Sequence, residues 1–525
     1  MSATILGLGG LLSDAAWCVI KNGQLAAAVE QTKVSRRARE NAFPEESLRT
    51  VLEVAHLRAE EVGIVAVARP LAEGAESTAQ LDLRARFPKS EIVVVDHHLA
   101  HASSAFYPSG FENASVISVD RAGDYRSAVL YEGNGRLLTP VREMYFPDSL
   151  GDLYNRVTEL LGFRARADEH KVQWLSASGH PRYMNVFSRI LHPDGTAWPR
   201  FDRTYFDADQ LTQGHFSRRF FEECDLRPDE PIAAEMRADL AASLQRAISE
   251  TIIGMLGSAQ NVCLAGGLGL NALLVHTLED CFPAVFVQPA AGNAGTAIGA
   301  ALRVWHQFCG EPATVPFDTL SLGPEYSPVQ IKQVLENCKL NFQFLETEGK
   351  VIERAVRVLS DQKIIAWMQG RMEFGPRALG NRSILASPSD PYSTENLNGY
   401  IKHREGFRKF AASVPEEVAG RYFEVNSNSG YLATVGRVRP EYKSTLSAAI
   451  MGEDLVRVHT VNRSQNPLYH QLLLVNGEAT GMPVLYNTSF NLFGDPLVCT
   501  TRDAVRSFYS SGIDALFVGH FYVEK

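Results

Sequence analysis

The chain has no C-x-x-C pair, no low-complexity tract and no apolar run near the roughly 20 residues that cross a bilayer. Its seven cysteines (18, 224, 263, 281, 309, 338 and 499) are scattered and odd in number. That excludes a zinc ribbon and points to reduced thiols in a cytoplasmic protein. There is no excess of positive charge. A net charge of −9 gives no general attraction to nucleic acid or to an anionic membrane, so neither is an expected partner. The opening "MSATILGLGGLLSDAAWCVI" lacks a basic leader, and Asp14 interrupts its apolar run. A first core strand is the better reading than a signal peptide.

What is present is the composition of a large soluble α/β enzyme: 525 residues, 45% hydrophobic, with 40 glycines and 25 prolines. A core of that size closes without disulfides or metals, so a metal here would be functional. Two early segments share a plan. "ATILGLGGLLSDAAWCVIKNGQLAAAVEQ" reads as an apolar strand, a loop reaching Asp14, then two strands around Asn22-Gly23. "ASVISVDRAGDYRSAVLYEGNGRLLTPVRE" reads as a strand ending at Asp120, a loop, then two strands around Asn134-Gly135. Asn-Gly between alternating apolar runs marks a hairpin because both turn residues need positive φ. Two unrelated hairpins would also satisfy the pattern; a duplicated unit with both loops facing one cleft is the sharper reading.

Two glycine loops follow, each between a predicted strand and helix: Gly266-Gly267 with Asn271, and Gly292-Asn293-Ala294-Gly295. Free amides at a helix start bind anions, and glycine allows close approach to a phosphate, though glycines also serve tight packing. This order is similar to the actin-like ATPase fold, two related α/β halves with a nucleotide between them. A proline-rich stretch near 310–345 suggests a domain boundary. Beyond it, residues 363–409 carry eight Lys or Arg against four Asp or Glu. Arg371, Arg377, Arg382, Lys402, Arg404 and Arg408 suit a compact polyanion; the stretch lacks the interleaved aromatics of a nucleic-acid surface. A solvated charged face is the plain alternative. Asn487, Thr488, Ser489 and Asn491 follow a buried-looking strand and suit either ligand hydrogen bonding or a capping turn. Asp96 is a plausible N-cap that sets His97 and His101 on one helical face, with His98 pointing elsewhere. Two imidazoles at that spacing, joined by Asp120, suit a divalent transition metal.

Four segments together, "DHHLAHASSAFYPSGF", "GRMEFGPRALGNRSILASP", "IKHREGFRKFA" and "LYNTSFNLFGDPLV", closely resemble the NodU/CmcH family of O-carbamoyltransferases. "FPDSLGDLYNRVTELLGF" followed by "DEHKV" adds a further match, and the resemblance runs from about residue 4 to 520. It implies an actin-like carbamoyl-transfer domain over 1–325 and a YrdC-like α/β domain over 345–525. The second domain would form carbamoyl adenylate from carbamoyl phosphate and ATP. The first would transfer the carbamoyl group to a hydroxyl of a small-molecule acceptor, a natural product or sugar of secondary metabolism such as antibiotic biosynthesis. The resemblance places anion neutralisation on Arg377, Lys402, Arg408 and Arg457, and carbamoyl orientation on Asn487 and Ser489. Nucleotide binding falls to Gly266, Gly267, Asn271, Gly292 and Gly295. Metal ligation falls to His97, His101, Asp120 and Asn293, for Fe or Zn, with Mg a further candidate cation and a homodimer a candidate assembly.

The chain departs from the family pattern at several positions. Asn293 stands where an Asp is usual, Ser13 where a His is usual, and Arg121 follows Asp120 in "VDRAGDY". "KVQWLSASG" replaces a more usual K-V-M-G-L-A, and Lys409 a usual proline. These changes motivate two alternatives: a different acceptor or transfer chemistry, and a nucleotide-binding partner subunit whose transfer site has decayed. A sugar-kinase-like phosphotransferase is allowed by the actin-like pattern alone, but it needs no second anion site.

Overall fold

The computed structural model describes residues 4–525 apart from 12, 38–42, 70–74, 208–212, 229, 309–318, 389–394 and 493. The side chains of 75–77 and 213 also lie outside the description. "TILGLG" forms the central strand β1 (Thr4–Gly9), buried at every position, as an apolar run without alternation requires. Around it stand β2 (Ala16–Lys21), β3 (Gln24–Glu30), β4 (Ile64–Ala68) and β5 (Glu91–Val95), in the order β3-β2-β1-β4-β5. The first three strands are antiparallel and the last two join in parallel.

A second sheet repeats this plan. It comprises β6 (Asn113–Gly123), β7 (Arg126–Asn134), β8 (Leu137–Tyr145), β9 (Asn261–Ala265) and β10 (Ala284–Val287). Its order, β10-β9-β6-β7-β8, is the first sheet strand for strand, with the same parallel and antiparallel joints. The duplication expected from the hairpins is therefore structural, and the actin-like assignment rests on it.

Two details differ from expectation. Asn22 and Gly23 both take positive φ, 52° and 78°, but at the second hairpin only Gly135 does. Asn134 pairs with both Asn113 and Leu137, and that double ladder keeps it extended. The strand bearing Asp120 also runs on to Gly123, with an irregular register after Val119.

The helix after each fifth strand, His97–Phe106 and Gly295–Phe308, lies between the two sheets within one shared apolar core. They touch closely: a Cβ on Gly299 would sit 1.7 Å from the Ala100 carbonyl oxygen. Gly299→Ala should therefore push apart the helix that carries the histidines. A loss of about 3 kcal/mol or more is expected in urea unfolding, beyond an ordinary surface change.

The remaining strands form one ten-stranded mixed sheet, β11-β20-β19-β12-β13-β18-β14-β17-β16-β15. These are β11 (Gln343–Phe344), β12 (Ile365–Met368), β13 (Arg382–Ala386), β14 (Ala411–Pro415), β15 (Phe423–Glu424), β16 (Gly436–Val438), β17 (Leu455–Val461), β18 (Leu485–Ser489), β19 (Ala515–Val518) and β20 (Phe521–Glu524). Its two faces carry separate apolar cores, so the sheet is covered on both sides. Part of the boundary expected near 310–345 lies outside the described residues. Among the described residues no helix is long and apolar enough to cross a membrane.

Candidate functional site

Asp96 caps the His97–Phe106 helix, its Oδ1 accepting from the Leu99 amide at 3.1 Å. One turn apart on that helix, His97 and His101 direct Nε2 to Asp120 Oδ2 at 3.1 and 3.3 Å. The three side chains offer ligand atoms within 4.8 Å of one another. His97 Nδ1 lies 3.1 Å from the Arg69 carbonyl, a contact that leaves Nε2 as the nitrogen able to ligate. Burial disfavours a charged imidazole at both positions. At His97 the Asp120 carboxylate outweighs that and raises the pKa, while at His101 burial wins and lowers it. Burial also opposes the Asp120 charge, yet His101 and His97 hold its carboxyl well below the usual range. His98 is a structural residue. It contacts Ser118 Oγ at 2.9 Å and the Arg126 carbonyl at 3.1 Å, and burial pushes its pKa down to about 3.

Asn293 stands beside His101 and donates from Nδ2 to Ser13 Oγ at 2.8 Å. The two departures from the family pattern are thus in direct contact, a neutral amide–hydroxyl pair. Asn293 Oδ1 and His101 Nδ1 are buried without a well-aligned hydrogen-bond partner, and His101 Nε2 has its 3.3 Å contact with Asp120. Unsatisfied buried acceptors beside a carboxylate are the donor set a divalent transition metal takes, so these residues fit one. Arg121 turns away from the cluster to Asp152, at 3.2 Å.

The glycine loops adjoin this cluster. Gly266 has φ of 90°, and a Cβ there would lie 2.2 Å from the Val119 carbonyl oxygen. Gly267 packs 3.2 Å from Asp120 Oδ1 by the same measure. Gly292 and Gly295 form the turn before the Gly295–Phe308 helix, the Gly295 amide donating to the Gly292 carbonyl at 3.0 Å. The Asn271 side chain is spent within the protein: Oδ1 caps the next helix at Leu274, and Nδ2 donates to Gln245.

From the other direction, Arg377 donates to the Leu270 carbonyl at 3.4 Å. The 267–270 turn therefore touches Asp120 at one end and an arginine of the basic segment at the other. Around Arg377 gather Lys402, Arg404, Arg408 and Arg457, with Glu405 as a neighbouring acid. Burial, then mutual repulsion, pushes Arg377 down to about 10 and Arg404 to about 9, and Lys402 and Arg457 well below their usual ranges. At Arg408 burial outweighs the opposing pull of Glu405. Cations gathered this closely and shielded from water form a site suited to an anion.

The cations are held in different ways. Arg457 donates to the Lys409 carbonyl at 3.0 Å and lies 4.9 Å from the Trp174 ring. Lys402 Nζ is held by the Ser489 carbonyl and by both oxygens of Asn491, which account for its three donors. It anchors the turn in which Ser489 Oγ donates to Asn491 Oδ1. Asn487 donates to the Ala378 carbonyl and Ser413, leaving a buried Oδ1 without a partner.

Two arginines of the basic segment stand apart. Arg371 bonds the carbonyls of Gly323, Leu322 and Ala26, and Arg382 those of Gln369, Gly370, Asn381 and Pro324. Charge counting had grouped them with Arg377, but their guanidinium groups brace backbone instead. Arg404, counted with the basic stretch, donates to Thr488. Sequence reasoning left two neighbours out of the site: His170, driven to about 4 by burial, Arg408 and Arg377, and Trp174. The signal for both was the altered "DEHKVQWLSASG" segment itself.

Comparison with known proteins agrees with this two-part layout. The family model described as carbamoyltransferase N-terminus matches residues 76–302, and that described as carbamoyltransferase C-terminus matches 356–525. An uncharacterized protein of Synechocystis is 32% identical over 99% of this chain and 96% of its own length. The nodulation protein NolNO of Sinorhizobium fredii is 31% identical over 98% of this chain and 79% of its own. The 3'-hydroxymethylcephem-O-carbamoyltransferase of Streptomyces clavuligerus is 29% identical over 72% of this chain and 67% of its own.

Proposed function

Since the chain belongs to the carbamoyltransferase family of the NodU/CmcH type, we propose that it is an ATP-dependent O-carbamoyltransferase with one step at each site. The observation that carries the reading is the half-buried cluster of Arg377, Arg404, Arg408 and Arg457 beside the 267–270 turn. ATP and carbamoyl phosphate repel each other, and such a cluster brings their phosphates together by position and charge. Carbamoyl phosphate loses orthophosphate with uptake of one water, and the resulting carbamate oxygen displaces pyrophosphate at the α-phosphorus of ATP. The product is carbamoyl adenylate. Asn487 bonds the Ala378 carbonyl, next to Arg377, through Nδ2, and its buried, unpartnered Oδ1 suits the carbamoyl NH₂.

Transfer to an acceptor hydroxyl forms the new C–O bond, releases AMP and frees one proton. We assign it to the region of His97, His101 and Asp120, which the same turn adjoins. A divalent metal bound there would supply Lewis acidity toward an oxygen of the reacting groups. His97, held through Nδ1, with His101 and Asp120, would hold that ion.

The test is pyrophosphate release from ATP, with and without carbamoyl phosphate. Release that depends on carbamoyl phosphate is expected; release independent of it, or none, would sink the reading. The Asn293–Ser13 pair favours one second reading, in which adenylate formation is intact and transfer is altered. Carbamoyl-phosphate-dependent release with no carbamoylated product across a panel of sugar and cephem alcohols would select it.

A further inference from the structure

The edge of the first sheet is fastened to the basic segment by a buried ion pair that neither site uses. Glu30 ends β3, and Lys33 lies one turn on, 6% exposed and ion-paired with it. Lys33 Nζ donates to the Glu373 carbonyl at 2.9 Å and the Gly375 carbonyl at 2.6 Å, across more than 300 residues of sequence. Glu30 Oε2 in turn accepts from the Gly375 amide at 3.1 Å. Both ends of this clasp lead to a site. Arg377 stands two residues past Gly375, and the Glu30 carboxylate feels the charge of Asp14, the neighbour of Ser13. Arg371 extends the seam by bonding the Ala26 carbonyl of β3.

We propose that Glu30 and Lys33 are positioning residues that seal the seam between the two sites, keeping carbamoyl adenylate from water until an acceptor arrives. The inference rests on the two-step reading above. Three charge-assisted contacts pin residues 373–375 to the end of β3 and the helical turn that follows it, where a loose seam would admit water. An adenylate that meets water gives carbamate and AMP, and carbamate then breaks down to CO₂ and ammonia. A leaking enzyme therefore consumes ATP without carbamoylating anything.

The experiment uses full-length protein, ATP and carbamoyl phosphate, with no acceptor present. Wild-type protein should release one burst of pyrophosphate and then turn over slowly, because the adenylate is retained. The double variant Lys33→Met/Glu30→Gln keeps similar shapes and leaves no lone buried charge. It should show an unchanged burst and a post-burst rate higher by about fivefold or more. Lys33→Arg with Glu30 kept, which retains the charge and the donors, should keep the slow wild-type rate. A merely structural role would lower burst and post-burst rate together, in proportion to folded protein, and would overturn the inference. An unchanged post-burst rate with an intact burst would overturn it as well. Linear carbamoyl-phosphate-dependent release without a burst in wild-type protein would overturn the inference alone, whereas no release at all would overturn the functional reading and the inference with it.

Discussion

Arg457→Met is expected to cut carbamoyl-phosphate-dependent pyrophosphate release on the order of 10²–10³-fold, as loss of one preorganised cationic donor does. The same change is expected to make the protein more stable. Arg457 sits among Arg377, Arg404 and Arg408, and burial with their repulsion pushes its pKa far down. Its hydrogen bond to the Lys409 carbonyl and its contact with Trp174 offset only part of that. Methionine keeps the packing under the Trp174 ring and removes the charge, a change worth about 1–2 kcal/mol of stability by analogy with buried ionic groups replaced by apolar ones. In a thermal melt that is a rise of a few degrees, at about 2–4 °C per kcal/mol for a domain of this size. ATP with carbamoyl phosphate should raise the melting temperature of wild-type protein by mass action and leave the variant nearly unmoved. A fall in both activity and stability would show that Arg457 braces the fold, as Arg382 does.

The second large effect concerns the metal. Asp120→Ala should reduce affinity for Zn²⁺ or Fe²⁺ by about 100-fold or more, exceeding the loss seen when an outer hydrogen-bond partner is removed. Asp120 Oδ2 lies within 3.3 Å of both imidazoles, so its loss would remove a proposed ligand and the negative charge that would balance the cation. Asn293→Asp should act in the opposite sense, tightening binding on the order of tenfold, because it adds charge where an amide oxygen now stands unpaired. Metal content after dialysis, together with calorimetric titration, reads both. Pyrophosphate release should be preserved in both variants, since the cation cluster is untouched. Equal and negligible metal in wild type, Asp120→Ala and Asn293→Asp would remove the ligand assignment.

Much of this architecture was legible from the chain. The Asn22-Gly23 turn, the cap at Asp96, the pairing of His97 with His101 and the exclusion of His98 all follow from neighbours within a few residues. Helical spacing and turn chemistry act over that range. The duplicated plan was legible for the same reason, since the polar loop, hairpin and glycine turn recur in order. The long motifs around Arg377 and Asn487 carried the family resemblance that the family models bear out.

Only the tertiary structure decided which charges are available. A sequence shows that Arg371, Arg377 and Arg382 are basic. It does not show that carbonyls from Ala26, Leu322 and Pro324 occupy the first and third while the second is left in the cation cluster. Lys402 likewise looked free, and its three donors prove to be taken by Ser489 and Asn491. The contact between Ser13 and Asn293, 280 residues apart, turned two separate departures into one neutral pair. Local pattern fixed the elements and the residue types this protein would use. Which donors face a ligand and which hold backbone was settled by chain segments hundreds of residues apart, because hydrogen bonds are consumed by whatever folding brings within 3 Å.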